Sequence, residues 1–319
     1  MLGWRKFLQL GDFKYGHEAL KLITAFIKKH VFFRVSLSVF LTRVVIFVPT
    51  FSAILAIFLF RYIRITDVIV LITMYLLTML GITAGYHRLF THKSYEAIKP
   101  FSALLHILGS MTGQGPLLFW VAIHRKHHQS SDRKGDPHSP ITHKSFFYAH
   151  IKWMMDFDFN QKYLITLVPD LIRDKVIFTV DRFYLLWLSI GIILPGFFAF
   201  LLTWSWVAFF TGCFWGGLIR MFLVHHVTWS VNSVCHFFGK QDFKTKDNSR
   251  NHILPAVLAL GEGWHNNHHA FPNSAKHGLL PWQIDITYYI IKVTHFFKLT
   301  KNIRLPIHNK IKEKRLKND

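Results

Sequence analysis

Residues Val68 to Tyr86, VIVLITMYLLTMLGITAGY, run without a charge and lead directly into His87-Arg-Leu-Phe-Thr-His92. The run is close to the ~20 apolar residues that cross roughly 30 Å of hydrocarbon, and lipid admits only segments whose backbone is satisfied internally, as in a helix. A membrane span therefore delivers histidines to its own end. Working outward, Val44 to Phe60 is another uncharged run, bounded by Arg43 and Arg61, and Tyr184 to Val227 is long enough for two more. The turn between those two falls near Trp204 and Trp206, whose indoles suit the water interface. Spans are expected at 44–60, 68–86, 184–203 and 206–227. Arg220 is the one charge in the last pair and must face protein or snorkel. Composition agrees: at 51% hydrophobic and 16% aromatic, the chain is too apolar for a soluble domain of its length.

The net charge of +21 could suggest nucleic acid, but its distribution argues against that. Of the Lys and Arg residues, eight precede the first span, thirteen lie between Tyr86 and Tyr184 and fourteen follow Val227, while only Arg61 and Arg64 separate the first two spans. The excess of positive charge on one side puts segments 1–43, 87–183 and 228–319 in the cytoplasm, with no nucleic-acid partner. The Lys-rich tail from Lys298 to Lys317 reads as a lipid contact or a solvated end. Cys213 and Cys235 are the only cysteines, so neither a disulfide framework nor a Cys-x-x-Cys site is available. Met1 to Asp12 carries no cleavable signal. His17 to Phe40 reads as an amphipathic helix lying on the membrane. Ile98 to Ile123, broken by Gly109, Gly113, Gly115 and Pro116, suits a partly inserted or protein-covered segment better than a further span, and Ser145 to Tyr184 suits short interfacial helices. No repeat or linker interrupts the chain, so residues 1–319 are expected to form one domain.

Eight histidines fall in three clusters: His87 and His92; His124, His127 and His128; His265, His268 and His269. Neutral imidazole is the commonest metal ligand, and packing does not ask for it in this pattern. The first two clusters lie between the second and third spans and the last follows the fourth, so all emerge on one side of the membrane. On a helix, positions i, i+3 and i+4 share a face, so each triplet can aim at one point. His87 and His92, five apart, cannot both point the same way from a regular helix; His87 would end the span and His92 lie where the helix stops. Eight imidazoles exceed the four of a closed zinc site, which implies two metal ions. Spacing alone does not choose iron over zinc.

The stretches Gly81-Ile-Thr-Ala-Gly-Tyr-His-Arg-Leu-Phe-Thr-His92, Trp120-Val-Ala-Ile-His-Arg-Lys-His-His128 with Gly135-Asp-Pro-His138, and Gly261-Glu-Gly-Trp-His-Asn-Asn-His-His269 resemble the three histidine boxes of membrane fatty acid desaturases, most closely the Δ9, stearoyl-CoA type. The resemblance runs from about the first span to Trp282. It implies an all-α integral membrane protein, four transmembrane helices beneath a cytoplasmic helical cap that carries a di-iron site. It also implies a ninth ligand: Asn232-Ser-Val-Cys-His236 fits the family's Asn-Ser-x-x-His motif, which makes His236 a ligand and Asn232 its companion through a water. His225 and His226 match no ligand position, and His138 reads as structural or as a support behind a ligand.

The implied reaction uses two iron ions, cycling between Fe2+ and Fe3+, and O2 to place a cis double bond in a saturated acyl chain. Lacking a polar handle at its middle, that chain must be positioned by an apolar tunnel. The second span is its natural wall. Leu71, Tyr75, Met79 and Ile82 lie on one stripe there, Tyr75 is bulky enough to cap the tunnel, and Trp120 fits the family pattern beside the second box. Asp132, Asp136 and Glu262, beside the boxes in a chain sparing with acids, are candidates to orient the imidazoles. Where animal CoA-using enzymes tend to carry Arg, this chain has Ala122, which leaves acyl-CoA and glycerolipid substrates both open; acyl-CoA is favoured. Arg125, Lys126, Arg133 and Lys134 could serve an anionic head group. Neither end carries the His-Pro-Gly-Gly of a fused cytochrome b5, so a ferredoxin, rubredoxin or separate cytochrome b5 with its reductase is expected to supply electrons. The expected setting is a bacterial inner membrane. A membrane di-iron hydroxylase is the alternative chemistry.

Overall fold

The computed structural model describes residues 40–156 and 161–316. The amphipathic helix expected over His17–Phe40 lies, Phe40 apart, outside the described residues. The chain divides into two compact units, Met1–Val44 and Val45–Asp319, and almost all described residues belong to the second.

Among the described residues, four helices are long and apolar enough to cross a membrane: Phe40–Tyr62, Ile65–Thr91, Tyr184–Thr203 and Trp206–His236. The protein is an all-α integral membrane protein. The third helix coincides with its apolar run, whereas the second passes Tyr86 and the fourth passes Val227. These extensions have a common cause. Arg88 donates to Glu262 and Asp285, Thr91 to the Tyr86 carbonyl and Ser233 to the Trp229 carbonyl, so polar residues at the helix ends are satisfied by protein and do not stop the winding. The second and fourth helices are the inner pair, half of each being buried against 28% for the third. Arg220 faces protein: it is buried and donates to the carbonyls of Met111, Gly191 and Gly216, at 2.7, 2.7 and 3.2 Å. Trp204 and Trp206 stand exposed at the turn between the last two spans.

The second helix ends in a π-helical segment, Gly81–Thr91. It is pressed against helix Lys99–Ser110, since a Cβ on Gly81 would collide with the backbone nitrogen of Gly109. At 12 residues that neighbour spans only about 18 Å, too short to cross, and with Leu117–Ser130 it occupies the segment over 98–123 not expected to be a span. A buried cluster that includes Tyr86, Leu105, Leu117, Val121 and Ile177 packs these elements together. The described residues of 145–156 and 161–184 include several short helices, one opened by Pro169. The two-residue strands Glu96–Ala97 and Thr300–Lys301 pair antiparallel. The basic tail is not simply solvated: helix His308–Lys314 folds back, and Lys314 Nζ donates to the Ala270 carbonyl while lying over the Phe271 ring.

Candidate metal centre

The π-helix brings His87 and His92 together. In this winding the N–H of residue i+5 bonds to the carbonyl of residue i, and the His92 N–H donates to the His87 carbonyl at 3.1 Å. Residues five apart are then one turn apart, so the two rings sit 4.7 Å centroid to centroid. A regular helix would separate them, but the helix is not regular there, and His92 lies where it stops.

Helix Leu117–Ser130 carries His124, His127 and His128; helix His265–Ala270 carries His265, His268 and His269; His236 closes the fourth span. Their ligating nitrogens form two groups. His87, His92, His124, His128 and His268 make one; His127, His236, His265 and His269 make the other, with the atoms of each group within 4.8 Å of one another. Neither triplet aims at a single point, as the spacing had suggested. On a helix, i and i+4 diverge by about 40° while i+3 lies about 60° to the other side of i. His124 and His128 therefore serve one group and His127 the other, and likewise His265 and His269 part from His268.

In both groups the Nε2 atoms face inward. Nε2–Nε2 separations are 3.2 Å for His87 and His268, 3.0 Å for His268 and His128, 3.1 Å for His128 and His124, and 3.1 Å for His236 and His265. The Nε2 atoms of His92, His127 and His269 are buried without a hydrogen-bond partner. Outer nitrogens meet carboxylates instead: His127 Nδ1 lies 3.0 Å from Asp136, His236 Nδ1 3.0 Å from Asp132, His269 Nδ1 2.7 Å from Asp247 and His87 Nδ1 2.7 Å from Glu262. A proton held on Nδ1 leaves the Nε2 lone pair free. Converging lone pairs with no proton between them suit cations, and these donors fit two metal ions. The groups adjoin, for the His128 and His269 rings stack at 4.6 Å.

Electrostatics keep most of these imidazoles neutral. Burial, then the neighbouring imidazoles, hold His124, His128, His265 and His268 well below the usual histidine range. Burial would also lower His127, but the charge of Asp136 outweighs it and raises that group. For Asp132 burial works upward and is overcome by the hydrogen bond to His236, which brings it to about 2. Asp136 and Asp247 are depressed in the same way by His127 and His269. Glu262, despite burial, is held low chiefly by Arg88.

The remaining expected residues are placed as follows. Asp132, Asp136 and Glu262 each contact an imidazole. Asn232 is half-buried on the fourth span, about one turn before His236. His138 stacks on His127 at 4.4 Å, and His225 donates to the Thr112 carbonyl at 2.7 Å, while His226 meets His150. Trp120 stacks on His124 at 5.0 Å and donates to Gln114, whose amide donates to the Thr228 hydroxyl. Tyr75 and Met79 pack with Val224, Val231 and Leu260, whereas Leu71 packs with Trp215 and Ile219 and Ile82 with the Tyr86 cluster, so the stripe meets three separate surroundings. Arg125 is not free for a head group: it pairs with Asp170 through both nitrogens, at 2.7 and 3.0 Å, and also caps the carbonyls of Phe90 and Leu167. Ala122 is fully buried. Two residues escaped the sequence reading. Asp247 had only its acidity to mark it, and His277, with Nδ1 3.1 Å from Glu262 and its ring 4.6 Å from His268, lies outside the clusters.

The family model for fatty acid desaturases matches residues 67–284, which include both histidine groups. The chain is 39% identical over 282 residues to a hex-5-enoyl-(acyl-carrier protein) acetylenase of Moorena producens, covering 84% of this chain and 87% of the relative. It is 40% identical over 229 residues to an sn-1 stearoyl-lipid 9-desaturase of Synechocystis, covering 71% and 68%. With an acyl-CoA C20 Δ5-desaturase of Anemone leveillei it shares 37% identity over 235 residues, covering 71% and 70%.

Proposed function

This chain belongs to the fatty acid desaturase family, and from that premise we propose that it introduces a cis double bond at the Δ9 position of a saturated fatty acyl-CoA. The observation that carries the reading is the convergence of nine buried or half-buried Nε2 atoms into groups of five and four. His87, His92, His124, His128 and His268 would hold one iron, and His127, His236, His265 and His269 the other, with Asn232 reaching the second through a water. When bound, the iron pair would supply the chemistry by which O2, two electrons from an external donor and two protons take one hydrogen from each of two adjacent methylenes, leaving the double bond and two waters.

The chain's own residues hold and exclude. Asp132, Asp136, Asp247 and Glu262 fix the imidazole tautomers, so the ligands need little reorganisation. Trp120, steadied by Gln114 and Thr228, offers an apolar face beside His124 against which methylenes can rest. Tyr75, anchored through its hydroxyl to the Leu258 carbonyl at 2.8 Å, would close the far end of the acyl tunnel beside Met79. Exposed Arg133 and Lys134 beside the second histidine cluster offer charge to an anionic carrier, and the basic segments support a multi-pass placement with both termini and the site facing the cytoplasm. A ferredoxin, rubredoxin or cytochrome b5 would be steered to that face.

A second reading, a glycerolipid-linked substrate, is favoured by the engagement of Arg125 with Asp170 and the burial of Ala122, which leave fewer cations for a CoA moiety. One experiment separates these. The chain is expressed in a strain lacking its own desaturase, and double-bond position is mapped in each lipid class with and without acyl-CoA depletion. A new Δ9 bond that disappears on depletion supports acyl-CoA; one that persists in phospholipids supports the lipid-linked form; a product that gains one oxygen is a hydroxylase product and overturns desaturation.

A further inference from the structure

Four carboxylates stand behind the nine imidazoles, and they are shared unequally. In the group of four, three imidazoles are backed: His127 by both oxygens of Asp136 at 3.0 Å, His236 by Asp132 at 3.0 Å and His269 by Asp247 at 2.7 Å. In the group of five, only His87 meets a carboxylate, Glu262.

The surroundings of those acids widen the difference. Glu262 is partly neutralised by Arg88, whose Nε lies 3.1 Å from its Oε1, while its Oε2 lies 3.1 Å from His277 Nδ1. The three aspartates have no Lys or Arg within ion-pairing distance among the described residues, and their other partners are neutral. Asp132 accepts from the Ser139 hydroxyl and the Asn248 N–H, Asp136 from the N–H groups of Asp132 and His138, and Asp247 from Ser249. Their side chains are 3%, 0% and 10% exposed, so water screens their charge little. An imidazole whose outer N–H is held by an unneutralised carboxylate is a more basic donor, and such outer partners are typically worth roughly 10–100-fold in metal affinity. A guanidinium beside the carboxylate works against that gain.

Resting on the di-iron reading, we infer that the two metal positions are unequal: the group of four is the stronger donor set, fills first and favours the oxidised ion more than the group of five does. Asp132, Asp136 and Asp247 are then positioning residues that set this order through His236, His127 and His269.

The test uses the full chain in detergent, stripped of metal by chelation and titrated with Fe(II) without oxygen, followed by Mössbauer spectroscopy and a redox titration. The first equivalent is expected to give one quadrupole doublet and the second a different one. Asp247→Asn and Asp136→Asn should each weaken the first-filled position by roughly 10–100-fold and move its potential positive, with the second doublet retained. Glu262→Gln should weaken the second-filled position instead. Asp247 sits in a loop and is the more exposed acid, so its variant guards against a folding failure of the Asp136 variant; thermal melting checks both. Two equivalents that bind indistinguishably, or aspartate variants that weaken both positions alike, overturn the inference and leave the di-iron reading standing. Fewer than two irons per chain at saturation rejects that reading and the inference with it.

Discussion

The two ends of the second span obey different rules. At its start, Asp67 is a single buried acid that accepts from the Arg64 N–H at 3.0 Å and the Thr211 hydroxyl at 2.7 Å, and around it spans pack through apolar side chains such as Val70, Ala199 and Ala208. At its end, Arg88 is fully buried between Glu262 and Asp285, and His87 enters a crowd of imidazoles. The first end is held by additive packing, the second by a polar network in which removing one member strands the rest. Substitutions should therefore be graded by end rather than by burial alone.

The largest effect is expected from His124→Ala or His268→Ala. Each removes a donor from the group of five, and unsaturated product in a desaturase-deficient strain should fall by more than about 100-fold, since even an outer partner of a ligand is worth 10–100-fold. Undiminished product would erase the distinction between the two ends. Next comes Arg88→Met, which leaves Glu262 and Asp285 buried without their cation; about 3–5 kcal/mol of stability should be lost, read as a fall in melting temperature in detergent. The matching change at the other end, Asp67→Asn, keeps an acceptor for Thr211 and should cost about 1 kcal/mol. Equal losses from these two variants would contradict the contrast.

Acidity should act at the end that carries the histidines. His124, His128, His265 and His268 have depressed values in the folded apoprotein, whereas the unfolded chain titrates near the ordinary ~6.5. As pH falls below about 6.5 the unfolded chain gains protons that the folded one refuses, so stability is full above that pH and declines below it. His127, raised by Asp136, opposes this as one group against four. A second loss should follow below about pH 4, as the unfolded carboxylates protonate while Asp132 holds out to about 2. Melting of metal-free protein against pH would show both steps, and a flat profile from pH 7 to 5 would refute the first. The smallest effect concerns selectivity: Tyr75→Ala should open the region beside Met79 and lengthen the accepted acyl chain, measured by product chain length.

Much of this was legible in the sequence, for a physical reason. Lipid tolerates so few residue types that Val68–Tyr86 and Tyr184–Val227 declare themselves, and imidazole is rare enough that three clusters on one membrane face imply a metal. The missing parts depend on partners remote in the chain. Nothing local distinguishes Asp247 from a loop acid until His269 is beside it, and Arg125 looks available until Asp170 is seen across 45 positions. Hydrophobic period reports which face of a helix is buried, not how tightly it is wound, so the π-helical pairing of His87 with His92 could not be read from it.

That widened winding carries a consequence for how the chain can vary. Between Gly81 and Thr91 each carbonyl reaches one residue further than usual, and the bearing of His92 depends on the count of residues as much as on their identity. An insertion or deletion here would rotate one imidazole away from its companion while leaving every side chain chemically intact. Working descendants of this protein should tolerate exchanges in this segment but keep its length, and should place their gains and losses of residues elsewhere.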